Sequence, residues 1–341
     1  SAGEPIITPA QDMVLGCYYL TKMVHGKNGE GMAFSSLEEA IIAYQLGHLH
    51  IQAPIKARVR GEITETTLGR LIFNSIIPPK LPYYNETVGK KKLGEIVAEC
   101  FEIYSNERTA RLGDDLKRLG FKFATLSGLS IATADMVIPP KKAEIIEEAS
   151  EMVKKINNQY WKGLITEDER YNNNIKVWSK AKSDITNYMI ENIDEDNDLF
   201  YMVDSGARGN WGQITQLCGI KGLVANPAGK TIELPIKSNL KEGFSFLEYF
   251  IATHGGRKGK SDTALKTAEA GYLTRRLVDA VQNLVIKEYD CKSEHKHIIS
   301  KTESEKIGEK FENRIYGRTL AEDVIDPKTG EVLGERNTEI E

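Results

Sequence analysis

Between Pro140 and Asn192 apolar residues recur at helical spacing on either side of a single glycine. Ile145, Ala149, Met152, Ile156 and Tyr160 mark one stripe, and Gly163 breaks it. Thr166 and Glu169 then form a capping-box pattern ahead of Tyr171, Ile175, Trp178, Ile185 and Met189. Two amphipathic stripes joined by so short a break bury each other most directly, which predicts a protruding antiparallel helical hairpin. Each arm of about 20 residues would be about 30 Å long. The outer face carries Glu147, Glu148, Glu151, Lys154 and Lys155; a solvated face and a partner-docking surface are both open readings. Asp194 to Asp198 reads as an exposed acidic linker.

The flanking sequence predicts smaller pieces. Residues 1–50 mix turn signals (Gly3, Pro5, Pro9, Gly26, Gly29, Gly31) with short apolar runs and a helical stretch near Leu37 to Leu46. Ile55 to Arg60 alternates with the period of a half-buried strand, and Thr66 to Ile77 turns helical before Pro78-Pro79. Further helical pieces cover Leu93 to Phe101 and Asp114 to Leu119, the second closed by Gly120 as a stop. The fold class is therefore mixed and mainly α (α+β), with the hairpin, a long helix, and small β elements near 53–65 and 314–341.

Composition excludes several classes. With 45 Lys+Arg against 49 Asp+Glu the formal net charge is −4, so a nucleic-acid surface has to be local. No run of 18 apolar residues occurs, and the start lacks the layout of a secretory signal, so a cytoplasmic protein with no membrane partner is expected. Cys17, Cys100, Cys218 and Cys291 are scattered without a Cys-x-x-Cys pair, against a disulfide framework or a complete zinc site in this chain. The first three read as small buried apolar residues.

Two segments carry chemistry. In Asp204-Ser205-Gly206-Ala207-Arg208-Gly209-Asn210 small residues let backbone N–H groups and a guanidinium approach an anion. The plainer alternative is a glycine turn with a surface arginine. In the second, Phe244, Leu247, Phe250 and Ile251 give an apolar helical face that meets His254 to Ser261, after which a long helix opens at Asp262 and runs to about Val285. From 257 to 276 six basic residues (Arg257, Lys258, Lys260, Lys266, Arg275, Arg276) face two acidic ones, a local charge of +4. That stripe suits a phosphate backbone, and Thr267, Ala268, Ala270 and Gly271 form a small-residue patch against which a base pair fits. A solvated basic face is the alternative. Gly255 to Ser261 also approaches the phosphate-loop pattern G-x-x-x-x-G-K-[ST], but it is one residue short, with His254 in place of the first glycine.

The run Tyr249 to Gly259, continued by Asp262 to Ala268 and Gly271 to Asp279, closely resembles the bridge helix of the largest subunit of multisubunit DNA-directed RNA polymerase in its bacterial β′ form. Asp204 to Pro227 resembles the F-loop of that subunit and Pro140 to Asn192 its rim helices. Gly3 to Pro9, with Gln11-Asp12 and Tyr18-Tyr19, resembles the stretch after the catalytic aspartate loop.

The resemblance implies a nucleotidyltransferase making RNA on a DNA template from ribonucleoside triphosphates. It implies that Arg208 reaches the triphosphate and that Thr267, Ala268, Gly271 and Tyr272 lie at the active site. Arg257, Lys258, Lys266, Arg275 and Arg276 are then nucleic-acid contacts, and Gly255, Gly256 and Gly259 a hinge. It divides the chain into a post-active-site segment (1–50), a funnel-type α+β region (51–135), the rim hairpin (136–193), the F-loop region (194–240), the bridge helix (241–287) and the start of the zinc-site region (288–341). Implied partners are the α, β, ω and σ subunits, template DNA, nascent RNA, nucleotides and factors docking on the rim helices.

Implied cofactors are Mg2+ and Zn2+, both at incomplete sites: the Asn-Ala-Asp-Phe-Asp-Gly-Asp motif occurs nowhere in this sequence, and the isolated chain is expected to be inactive. Cys291 matches one of four zinc cysteines; His295 and His297 beside it read as coincidence. Gly256, the Lys260-Ser261 pair and the bulky Asn210-Trp211 depart from the family pattern. A noncatalytic nucleic-acid or transcription-factor binding module and a P-loop-like NTPase are the alternative functions.

Overall fold

The computed structural model describes residues 7–285, 287–288, 296–326 and 330–340. Residues 7–266 form one compact unit and the chain from 267 onward contributes to a second.

The first unit opens with α1 (Asp12–Thr21), where Val14, Cys17 and Leu20 are fully buried. A short strand β1 (Ala33–Phe34) precedes α2 (Leu37–Gln45), whose N-cap Ser36 accepts from the Glu39 N–H. Strands β2 (Pro54–Val59) and β3 (Glu62–Thr67) pair antiparallel with Lys56 opposite Glu65, and β1 pairs parallel with β2. Their two-residue turn places Arg60 at φ 50° and Gly61 at φ 99°, left-handed at both positions as a tight hairpin requires. Along β2 the buried residues alternate, Ile55 and Ala57 inward, Lys56 and Arg58 outward.

Helix α3 (Leu68–Ile76) is capped by Thr67, and α4 (Lys90–Ile103) leads to α5 (Asn106–Ser127). Gly120 does not stop a helix; α5 runs through it and ends at Gly128 with φ 63°. The reason is packing. A Cβ on Gly120 would lie 2.6 Å from the Met13 carbonyl oxygen, and one on Gly16 would lie 1.8 Å from the Gly120 carbonyl oxygen, so α1 and α5 cross with their backbones in contact. Leu20, Phe73, Leu93, Ile96, Leu112 and Leu116 fill the core around this crossing, each fully buried.

The hairpin follows as α6 (Lys142–Trp161) and α7 (Glu167–Asn192), with the Thr166–Glu169 capping box and Gly163 at φ 72° in the turn. At 1.5 Å per residue the arms are about 30 and 39 Å long. Their seam packs Ala149, Trp178 and Ala181 with Ile145 and Val153; Met152, expected in the seam, is exposed because Val153 takes that side of α6. A further core of Met189, Leu199, Val203, Ile214 and Cys218 joins the base of α7 to α8 (Asp198–Asp204) and α9 (Trp211–Ile214), which continues as a π-helical turn, Thr215–Gly219.

The acidic stretch 194–198 is not a free linker. Lys22 Nζ donates to the Glu195 carbonyl at 2.6 Å and lies over the Phe200 and Tyr201 rings, and Lys27 pairs with Asp196 at 3.7 Å.

The last helix of the first unit, α10 (Phe246–Val281), continues into the second. Beyond it are α11 (Lys301–Ile307), α12 (Phe311–Ile315) and the antiparallel pair β4 (Val324–Ile325) and β5 (Val332–Gly334).

Candidate nucleic-acid interface

The Arg208 segment is built by two left-handed glycines between helices. At the end of α8 the chain folds back, with Gly206 (φ 71°) and Gly209 (φ 78°) on either side of Arg208, whose N–H donates to the Met202 carbonyl at 3.2 Å. Conformations of this sign carry little cost only for glycine. The Lys90 N–H donates to the Ser205 carbonyl at 2.9 Å, fastening the segment to the start of α4. Asn210 caps α9 by accepting from the Gln213 N–H at 2.9 Å. Trp211, bulky for this position, packs edge-on against Phe200.

Ahead of the segment, Tyr18 donates its hydroxyl proton to Asp204 at 2.5 Å; burial, then this bond, push the Tyr18 hydroxyl above its ordinary range, so it remains a donor. With its backbone held at these points, the Arg208 side chain is exposed and makes no ion pair among the described residues. That leaves a positioned guanidinium able to take a planar anion or phosphate through paired N–H donors.

The second segment is one helix. Where the sequence suggested separate pieces meeting around residues 254–261, α10 runs unbroken for 36 residues. Gly255, Gly256 and Gly259 sit inside it with nothing within 4 Å of a would-be Cβ. Phosphate-loop chemistry is thereby excluded for Gly255 to Ser261, because amides committed to helical bonding cannot wrap a phosphate.

Only Ile251 of α10 is buried, at 7% exposure. In the part within the first unit, Arg257, Lys258 and Lys266 are exposed, and Lys258 Nζ donates to the Pro227 carbonyl at 3.2 Å. In the part beyond 266, Ala268, Tyr272, Arg275 and Asp279 follow one another at i, i+4, i+7 and i+11, a single helical face, with Gly271 beside them. Arg276 stacks on the Tyr272 ring at 4.5 Å and Arg275 lies 3.8 Å from Asp279. Thr267, Ala268, Gly271 and Tyr272 are exposed. This face offers flat small-residue surface bordered by guanidinium groups, a form suited to a base pair and its phosphates.

Sequence reasoning missed the acceptor that starts this helix. Glu248 takes hydrogen bonds from the N–H and hydroxyl of Ser245 at 3.0 and 2.9 Å and from residues 237 and 238. Partial burial raises its carboxyl, but these bonds outweigh it and bring the pKa down to about 2. The Ser245-x-x-Glu248 spacing was the available signal.

The metal expectations meet no fitting donor set. No group of three or more His, Cys, Asp or Glu side chains able to hold an ion occurs among the described residues. Cys291 and His295 lie outside them, and His297 is exposed. Cys17, Cys100 and Cys218 are free and buried, the Cys17 thiol pushed up to about 12 by that burial. No helix among the described residues is long and apolar enough to cross a membrane.

Against known families, residues 1–136 match the model of RNA polymerase Rpb1, domain 3; residues 165–252 match domain 4, and residues 243–329 match domain 5. Together these place the fold in the class of largest subunits of multisubunit RNA polymerases. The chain is 49% identical to the DNA-directed RNA polymerase subunit β′ of Moorella thermoacetica over 99% of its length, covering 30% of that protein. It is 47% identical to the β′ subunit of Pelotomaculum thermopropionicum (99% and 29%) and 45% identical to that of Heliobacterium modesticaldum (99% and 30%). The chain belongs to the bacterial-type RNA polymerase β′ family, and it spans about three tenths of the length of the curated relatives it matches.

Proposed function

We propose that this chain is the positioning part of a template-directed nucleotidyltransferase. In this reading α6 and α7 are the rim hairpin (136–193), the Arg208 segment belongs to the F-loop region (194–240), and α10 is the bridge helix (241–287). Arg208 takes the triphosphate of the incoming nucleotide. Thr267, Ala268, Gly271 and Tyr272 lie against the nascent base pair, and Arg257, Lys258, Lys266, Arg275 and Arg276 hold nucleic-acid phosphates. Gly255, Gly256 and Gly259 let the helix bend as the template advances. The partners are the other polymerase subunits, template DNA, nascent RNA and factors that dock on the hairpin, in the bacterial cytoplasm.

The observation that supports this best is α10 itself. A helix of 36 residues with a single buried side chain does not earn its order from a core of its own. Its exposed apolar and basic residues call for surfaces contributed by other chains and nucleic acid.

The reaction requires metal, but the described residues do not fit a magnesium or zinc site, and no step is assigned through either ion. The role of this chain's residues is to bind and orient, and the isolated chain is expected not to extend a primer. The test is an Arg208→Ala substitution in full-length β′ assembled into polymerase. Charge-assisted hydrogen bonds of about 1.5–3 kcal/mol correspond to a loss of about 10- to 150-fold in kcat/KM for nucleotide. Unchanged nucleotide kinetics would sink the assignment.

A further inference from the structure

The segment between the hairpin and α10, residues 236–245, is held from three directions. Asn239 Nδ2 donates to the Cys218 carbonyl at 2.7 Å, while the Leu240 and Lys241 N–H groups donate to the Gln216 and Leu217 carbonyls, tying the segment to the π-helical turn that follows the Arg208 segment. On the hairpin side, Lys237 Nζ donates to Ser150 Oγ on α6 at 3.1 Å and lies 5.3 Å from the Trp178 ring centre on α7. The buried Lys142 amine pairs with Glu242.

The third attachment is Glu248, in the first turn of α10. Its Oε1 accepts the N–H groups of Lys237 (2.9 Å) and Ser238 (3.1 Å). Its Oε2 accepts the Ser238 hydroxyl (2.9 Å), the Ser245 N–H (3.0 Å) and the Ser245 hydroxyl (2.9 Å). A capping box needs only the Ser245 contacts. The contacts to residues 237 and 238 do something else: they bolt the first turn of the helix to a strip already fixed on the hairpin and on the Arg208 side.

We infer that Glu248 is a positioning residue, whose carboxylate sets where α10 starts relative to the hairpin and the Arg208 segment. The inference rests on the polymerase reading above and adds to it a specific residue and linkage. A carboxylate suits the role because both of its oxygens face backbone N–H groups, Lys237 and Ser238 on Oε1 and Ser245 on Oε2, which can only donate. An amide in its place sets an N–H2 group against two N–H donors in one orientation and against the Ser245 N–H in the other.

The substitution Glu248→Gln therefore breaks at least one of these N–H contacts whichever way the amide turns, and weakens the joint between α10 and the strip. It is made in full-length β′, assembled with the other polymerase subunits, and compared with Lys142→Ala and the double variant in single-turnover nucleotide addition. With the latch weakened, the maximal rate is expected to fall about fivefold with KM for nucleotide changed less than about twofold, since displacing a helix that lies against the nascent base pair costs rate more than binding. The double variant is expected to be no slower than E248Q, because both changes interrupt one linkage. E248Q at the wild-type rate, or a double variant whose losses multiply, overturns the inference. Failure of the polymerase reading is separately visible, as an Arg208→Ala enzyme with unaltered nucleotide kinetics.

Discussion

Glycines separate two regions of this molecule. Around α1, a Cβ on Gly16 would meet the Gly120 carbonyl oxygen at 1.8 Å, and one on Gly69 would meet the Leu20 carbonyl oxygen at the same distance. In α10, Gly255, Gly256, Gly259 and Gly271 meet nothing within 4 Å. The same residue type serves close backbone contact in the first region and leaves an unsupported helix weaker in the second, because glycine costs a helix interior about 1 kcal/mol against alanine. One region is held by its own core; the other presents side chains that the described residues leave exposed.

Substitutions that exchange large side chains test this contrast most strongly. Phe73→Ala empties a fully buried position and should destabilise residues 7–266 by about 3–5 kcal/mol in urea unfolding. Tyr272→Ala, 63% exposed in α10, should stay within about 0.5 kcal/mol. Similar losses at both sites would erase the distinction.

Gly16→Ala should cost about 3 kcal/mol, since the added methyl displaces backbone and not a flexible side-chain end. A loss below about 1 kcal/mol would mean that α1 and α5 separate easily. Gly256→Ala should have the opposite sign, raising the helicity of α10 by circular dichroism and stabilising it by roughly 0.5–1 kcal/mol. In assembled polymerase the same change should slow translocation if the glycines serve bending, and an unchanged rate would remove the hinge.

Acid dependence at Glu248 tests the joint at the start of α10. Its carboxyl is lowered from 4.5 to about 2 in the folded state, so its stabilising contribution is complete above pH 4.5 and is lost as pH falls toward 2. The difference in urea midpoint between wild type and Glu248→Gln, present at pH 6, should close across that interval. A difference constant down to pH 2 would mean that the ionised carboxylate is not what holds the strip.

The hairpin was legible because its information is local. Helical periodicity, Gly163 and the Thr166–Glu169 cap state their meaning within a few residues. Strand β2 was legible for the same reason, in the alternation from Ile55 to Arg60; β3, which includes Thr66 and Thr67, was not read as its partner. Gly120 was misread because a glycine that ends a helix and one that admits another backbone look alike in sequence; the partner, Met13, lies more than a hundred residues away. Glu248 went unnoticed although its spacing from Ser245 is a local signal, since its second function depends on residues 237 and 238, placed by the hairpin.

By itself the sequence determined the mainly α class, the two-armed hairpin and, through long runs of matching residues, the polymerase resemblance, all carried by short-range pattern or extended similarity. Tertiary structure alone decided that Gly120 lies within a helix, that α10 is continuous from Phe246, that the acidic stretch is clamped by Lys22 and Lys27, and that five donors converge on one carboxylate. Those outcomes depend on packing and on satisfying buried polar groups among distant residues, which no local pattern encodes.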